Sequence, residues 1–334
     1  MRRWPRWADA ARAGSAAIGL LYSPGMPSPS LLASVEVPAS SANLGSGFDC
    51  FAAALSLKLR AELLRGDEAG ILLEAHGEGA PTPNADPEQN LVIRAFRAGL
   101  RTAGGASVGS GAWRIEVASM IPAARGLGSS AAAIVAGLLL GATVGRRSPD
   151  PDELMALATD LEGHPDNVAA AIFGGITLAV TNPQAPATVR RFRVPASWIP
   201  VVFITKAESR TSDMRDVLPA SIPFADAAAQ AARAALLATA VATADGTLLR
   251  LAMEDRLHQP YRLPRLPESA RLIDVAYAHG ATAACLSGAG PSVLALCDSP
   301  AVAHSVEKAL NASGVAGMAA RLRFDETGAR ISTP

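Results

Sequence analysis

Three small-residue segments carry the residue types that could do chemistry. Pro122-Ala-Ala-Arg-Gly-Leu-Gly-Ser-Ser130 runs directly into a long apolar stretch. Serine is a favoured helix cap, so this order predicts a helix that begins at Gly128-Ser129-Ser130. Free first-turn N–H groups and the helix dipole favour an anion there, and Gly126 and Gly128 allow the backbone to approach a bulky phosphate. No lysine follows the glycines in the Walker order, so a P-loop of that type is excluded. A plain glycine turn capping a buried helix would use the same residues.

The second segment, Pro38-Ala-Ser-Ser-Ala-Asn-Leu-Gly-Ser-Gly-Phe-Asp49, places Asn43 and Asp49 around a glycine-rich turn. Their side chains suit a polar ligand, and equally an Asx-turn between two strands. In the third, Leu286-Ser-Gly-Ala-Gly-Pro-Ser292, Gly288 and Gly290 permit positive φ, as a ligand loop or a tight hairpin requires.

Elements must hold these segments in place. Alternation predicts strands over 32–37, ended by Pro38, and over 55–63 and 113–117. Helical spacing of Val92, Ile93, Phe96 and Leu100 predicts a helix over 88–103, with further helices over 152–161 and 165–172. The apolar run Ala131 to Val144 has the length of a buried core helix and is short for a membrane span, although Gly137 and Gly141 carry the spacing of membrane helix pairs. A strand over 175–180 leads into a turn-rich stretch at 181–186, where a domain boundary is expected between residues 183 and 184. Beyond it, strands over 201–205, 282–286 and 292–296 alternate with alanine-rich helices over 226–244 and 300–312. This pattern is α+β rather than a βαβ repeat.

With 334 residues, 49% of them hydrophobic, the chain can bury two cores of ordinary size. Its 30 basic and 30 acidic residues cancel, which disfavours nucleic acid and an anionic membrane as partners. Cys50, Cys285 and Cys297 have neither zinc spacing nor a disulfide pattern and suit a reducing cytoplasm. Residues 1–31 read as a disordered lead-in that makes a poor secretory signal, and Met26 is an alternative start to Met1.

Taken together and in order, the three segments resemble the motifs of the GHMP kinase superfamily. The match is similar in detail to its homoserine kinase family at SANLGSGFD (41–49), EGHPDNVAAAIFGG (162–175), TSDMRDVLP (211–219) and HQPYR (258–262), and the likeness runs over about residues 32–325. The resemblance implies a two-domain α+β kinase, with a ribosomal-protein-like N-terminal domain, a ferredoxin-like C-terminal domain and the active site between them. It implies transfer of the ATP γ-phosphoryl group to the hydroxyl of L-homoserine, on the route to threonine.

By the same resemblance, Pro122, Ala123, Ala124, Arg125, Gly126, Leu127, Gly128, Ser129 and Ser130 bind ATP, and Ser130, with Ser129 as the neighbouring alternative, binds Mg²⁺ together with Glu162. Asn43, Asp49, His164, Arg215, Arg262 and Gly288 contact the substrate, Asp49 and Asn43 at the ammonium and hydroxyl ends, Arg215 and Arg262 at the carboxylate. Asn167 stabilises the transition state, and its neighbour Asp166 is open as a general base. Arg210 stands close enough in sequence to compete with Arg215. A homodimer is compatible with the resemblance. Two other functions suit the motifs, a mevalonate-type kinase of the same superfamily and a non-catalytic nucleotide-binding regulator.

Overall fold

The computed structural model describes residues 30–78, 89–102, 111–145, 149–182 and 184–334. Most of the expected lead-in, and Met26 with it, lies outside these residues; Leu31 already belongs to the first strand.

A seven-stranded sheet forms the first layer. β1 (Leu31–Ala42), β2 (Phe51–Arg65), β3 (Gly70–Gly77) and β4 (Ala112–Ser119) are joined by β5 (Ile176–Asn182), β6 (Ala185–Phe192) and β11 (Arg330–Ser332). The order is β11-β1-β2-β4-β3, with β5 paired to the start of β2 and β6 to β5. Among the described residues only β3 and β4 pair in parallel. Pro38 does not end β1. The β1–β2 register shifts between Pro38 and Ala39, and such a bulge is one of the few places in a sheet that tolerates a residue without an N–H.

Four helices cover this sheet: α1 (Leu91–Thr102), α2 (Ser129–Val144), α3 (Pro151–Glu162) and α4 (Asp166–Phe173). Ala131 to Ala142 of α2 are buried almost throughout, which explains why the sequence shows no polar face. Its membrane-like glycines serve a close helix crossing instead. A Cβ on Gly137 would stand 2.5 Å from the Val92 carbonyl oxygen of α1, and one on Gly141 2.1 Å from that of Phe96. Among the described residues no helix is long and apolar enough to cross a membrane.

The second sheet is antiparallel, ordered β10-β7-β9-β8, from β7 (Ile199–Thr205), β8 (Ala283–Leu286), β9 (Val293–Cys297) and β10 (Gly317–Arg321). Around it lie α5 (Thr211–Asp216), α6 (Phe224–Thr243), α7 (Leu249–Ala252), α8 (Gln259–Arg262), α9 (Pro267–Ala278) and α10 (Pro300–Asn311). Alternation along β7 sends Val201 and Phe203 into a core with α9 and α10, and Val202 and Ile204 into the core shared with the first sheet. The second sheet is thus buried on both faces, and the apolar packing is continuous between the domains.

The boundary expected between residues 183 and 184 falls in the β5–β6 turn, and β6 still pairs in the first sheet. The chain crosses to the second sheet between Phe192 and Ile199 and returns at its end, where β11 pairs with β1. Asp325 ties this return down. Its carboxylate pairs with Lys58 and accepts from the N–H groups of Thr327 at 3.0 Å and Gly328 at 2.8 Å.

Candidate active site

A cleft of about 700 Å³ opens between the two domains, and the turn before α2 forms its floor. In that turn Ala124, Gly126 and Gly128 have φ of 54°, 73° and 67°, the left-handed region that glycine enters without penalty. The turn is held from both sides. The Ser40 N–H donates to the Leu127 carbonyl at 3.1 Å, the Ser287 hydroxyl to the Gly126 carbonyl at 2.6 Å, and the Ser209 N–H to the Ala124 carbonyl at 2.9 Å. A Cβ on Gly126 would lie 2.1 Å from the Ser287 carbonyl oxygen. Glycine is therefore required here by contacts within the protein as well as by any phosphate.

Neither serine caps α2. Gly128 is the N-cap residue, without a side-chain cap bond, and Ser129 and Ser130 are the first two helical residues. A left-handed glycine turns the chain into the helix unaided, which frees the hydroxyls for other partners. Ser130 Oγ donates to Glu162 Oε1 at 2.5 Å. Pro122 to Ser130 line the cleft with the exception of Arg125. That guanidinium turns to the second domain, donating to the Thr205 carbonyl at 3.0 Å and pairing with Glu208 at 3.2 Å.

The acidic corner follows from how α3 ends. Asp150 caps its start, accepting from the Asp152 N–H, and left-handed Gly163 stops it directly after Glu162. The chain then reverses, and α4 begins at Asp166. His164 Nδ1 lies 2.6 Å from Asp166 Oδ1, and its Nε2 3.8 Å from Glu162 Oε1. Burial works against charge on His164, but the hydrogen bond and charge of Asp166, with Glu162, outweigh it and hold the imidazole above its ordinary pKa. Burial also pushes the Glu162 carboxyl up, against the Ser130 hydrogen bond. Asp166 Oδ1 further accepts from the Asn167 N–H at 2.7 Å. Asn167 Oδ1 accepts from the buried Ser40 hydroxyl at 2.7 Å.

At the opposite wall the second and third glycine-rich segments meet. Asn43 Nδ2 donates to the Gly288 carbonyl at 2.9 Å, and Asn43 Oδ1 accepts from the Asp49 N–H at 3.0 Å. Arg215 at the end of α5 forms a two-pronged pair with Asp49. Arg262 is 1% exposed, donates from Nε to the Met214 carbonyl at 3.1 Å, and lies over the Phe48 ring at 5.3 Å. Burial, with the neighbouring Arg215 charge, pushes its pKa down to about 10. All six expected substrate residues line the cleft, as do Asp166 and Asn167.

Sequence reasoning missed the apolar lining of the cleft, to which Leu59, Leu73 and Val117 from three strands contribute, together with Asn90. Asn90 carried a readable signal, since its Oδ1 accepts from the Val92 N–H at 2.9 Å as α1 begins. Arg210, the competitor of Arg215, also lines the cleft. All three cysteines are free thiols, and burial pushes Cys50 up to about 11 and Cys285 and Cys297 up to about 12, which disfavours the thiolate form.

For a divalent cation the cleft offers Ser130 and Glu162, two hard oxygen donors beside the anion-binding turn. Mg²⁺ is commonly held by one or two such groups together with substrate phosphates, so the donor set fits.

Two family models match the chain, the GHMP kinases N terminal domain over residues 90–175 and the GHMP kinases C terminal domain over residues 228–316. A homoserine kinase of Streptomyces coelicolor is 42% identical over 300 residues, 89% of this chain and 93% of that protein. Another, from Moorella thermoacetica, is 41% identical over 79% of this chain and 86% of its own length. The crystal structure of a homoserine kinase from Cytophaga hutchinsonii superposes with a TM-score of 0.80 at 26% identity, covering 93% of this chain and all of that one. A mevalonate kinase from L. major shares the fold alone, with a TM-score of 0.66 at 17% identity over 91% of this chain and 97% of that one. The cleft, its three glycine turns and these matches over most of the chain agree, and the chain belongs to the GHMP kinases, in their homoserine kinase family.

Proposed function

We propose that the cleft transfers the γ-phosphoryl group of ATP to the side-chain hydroxyl of L-homoserine, giving O-phospho-L-homoserine. The observation that carries this reading is the charge set opposite the phosphate turn. Asp49 suits an ammonium, and Arg215 and Arg262 suit a carboxylate, within reach of one zwitterion.

In this reading Leu59, Leu73 and Val117 take the adenine, and the open N–H groups at the start of α2 take the phosphates. Ser130 and Glu162 would hold Mg²⁺, which supplies positive charge to the phosphate oxygens. The chain's own part is positioning and charge stabilisation. Asn167 has its Oδ1 on Ser40, which leaves the Nδ2 donor for the reacting oxygens. Asp166 is engaged by His164 and the Asn167 N–H, so it orients this corner, and the hydroxyl proton leaves late, to the transferred group. Three free thiols fit a reducing cytoplasm.

The mevalonate-type alternative leaves Asp49 without a cation, because mevalonate has a carboxylate and no ammonium. A regulator would have no use for the Ser130–Glu162 pair. ADP release with L-homoserine, mevalonate, galactose and shikimate tests the assignment. Release is expected with homoserine, dependent on ATP and Mg²⁺; equal rates with mevalonate would overturn it.

A further inference from the structure

The mechanism above makes no use of His258, which is completely buried beside the amino-acid end of the cleft. Three elements meet on its ring. Nε2 lies 2.9 Å from the Gly45 carbonyl oxygen, so it carries the proton and donates. Nδ1 is then the acceptor for Arg262 Nη1 at 3.2 Å. Phe48 stacks on the ring, with centroids 5.2 Å apart and planes at 25°.

Gly45 and Phe48 belong to the first domain, in the turn that ends at Asp49, whereas Arg262 lies one helical turn after His258 in the second. That turn needs outside support. Asn43, Leu44 and Asp49 have φ of 70°, 42° and 56°, and non-glycine residues stay in this region only where their surroundings hold them. The support comes from the second domain. The Ser46 hydroxyl donates to the Ala252 carbonyl at 2.6 Å, Gln230 donates to the Ser46 carbonyl at 2.7 Å, and His258 holds Gly45. Asp255 fixes His258 in turn, accepting from the His258 N–H at 2.9 Å and the Gln259 N–H at 2.5 Å. Among the described residues, His258 is the side chain that both grips this turn from the second domain and bonds Arg262; the Gly288 carbonyl, which holds Asn43, takes a longer 3.4 Å contact from Arg262 Nη1.

We infer that His258 is a positioning residue that sets the spacing between Asp49 and Arg262, and through it the enzyme's preference for a substrate carrying both an ammonium and a carboxylate. The inference rests on the proposed assignment of Asp49 to the ammonium and Arg262 to the carboxylate. A neutral imidazole suits the role, because a third cation beside Arg215 and Arg262 would repel both. Burial and the Arg262 charge lower its pKa, against the pull of the Asp255 carboxylate 3.5 Å from Nε2.

The two hydrogen bonds can be separated by substitution. His258→Asn places an amide oxygen near the Nδ1 position and keeps an acceptor for Arg262 Nη1, whereas His258→Gln carries an amide N–H toward Gly45 and leaves Nη1 with the long 3.4 Å contact to the Gly288 carbonyl. His258→Gln is expected to raise the homoserine KM about 10- to 100-fold, with kcat and the ATP KM within about threefold of wild type. The ratio of kcat/KM for L-homoserine over 4-hydroxybutyrate, which lacks the ammonium, should fall about tenfold. His258→Asn should recover most of the homoserine KM. Lower melting temperatures in both variants with unchanged homoserine KM and unchanged selectivity would reduce His258 to a packing residue and overturn the inference. Asp49→Asn and Arg262→Lys serve as controls. If they too leave the homoserine KM unchanged, the substrate assignment itself fails, and the inference with it.

Discussion

Arg215 grips both carboxylate oxygens of Asp49, with Nη1 2.9 Å from Oδ2 and Nη2 2.7 Å from Oδ1. The two groups assigned to opposite ends of the substrate thus neutralise each other across the cleft. Their side chains are 37% and 34% exposed, so the pair contributes only about 0–1 kcal/mol to folding and is easily exchanged. A zwitterion replaces one ion pair with two. Asp49→Asn is therefore expected to raise the homoserine KM about 10- to 100-fold while the melting temperature stays nearly constant. Steady-state kinetics and thermal unfolding of the same preparation check this, and a large stability loss with normal KM would make the pair structural.

Glu162 gives a prediction in which stability and activity move apart. Burial raises its pKa, so an unneutralised charge at this position costs stability, and Glu162→Gln should keep or raise the melting temperature. The same change removes an anionic ligand, and half-saturation by Mg²⁺ should move up by about tenfold or more. A Mg²⁺ titration of the rate that overlays the wild-type curve would remove Glu162 from the metal site.

The neighbours Asp166 and Asn167 separate two mechanisms. With Asp166 occupied by His164 and a backbone N–H, Asn167→Ala should lower kcat about 10²- to 10³-fold with little change in homoserine KM, and Asp166→Asn should cost less. The reverse order in kcat, with folding verified by circular dichroism, would make Asp166 a general base.

Asp325 links stability to pH. Burial opposes its charge, but Lys58 and the N–H groups of Thr327 and Gly328 outweigh that and hold the carboxyl below its ordinary 3.8. A depressed folded pKa gives stabilisation that is complete above the unfolded value and lost as pH falls through the folded one. Asp325→Asn should cost about 1–3 kcal/mol at pH 7, and the gap from wild type should close below pH ~4. Urea unfolding at several pH values measures it; a gap independent of pH would contradict the charge assignment.

What the sequence made legible was the part built from local chemistry. Glycine turns, the charge-free helix after Ser130 and the alternating strands are each determined within a few residues. Contacts between distant segments were not legible. Nothing local marks Arg330-Ile-Ser332 as a strand, because its three exposed residues form β11 only by pairing with β1. Serine beside a helix start predicted a cap, and Gly128 made one unnecessary by turning left-handed. Arg125 read as a phosphate ligand from its place in the motif, whereas the carbonyl it bonds lies at the end of a strand 80 positions away. His258 stood in the matching HQPYR segment, but its role became visible only when the fold brought Gly45 to it across 213 positions.

The return of β11 to β1 has a consequence for synthesis on the ribosome. Residues from Ile199 to Arg321 form a domain inserted into another, so the first sheet keeps β1 as an open edge while the whole second domain is being made. An uncovered strand is a template for pairing with a neighbouring chain. Translation at about 5–20 residues per second leaves that edge open for roughly ten seconds or more after β2 has paired with β1. On crowded polysomes the nascent kinase is exposed to β1-to-β1 association during this interval, and the exposure falls when residues 330–332 emerge and cover Ser34, Val35 and Glu36 of that edge.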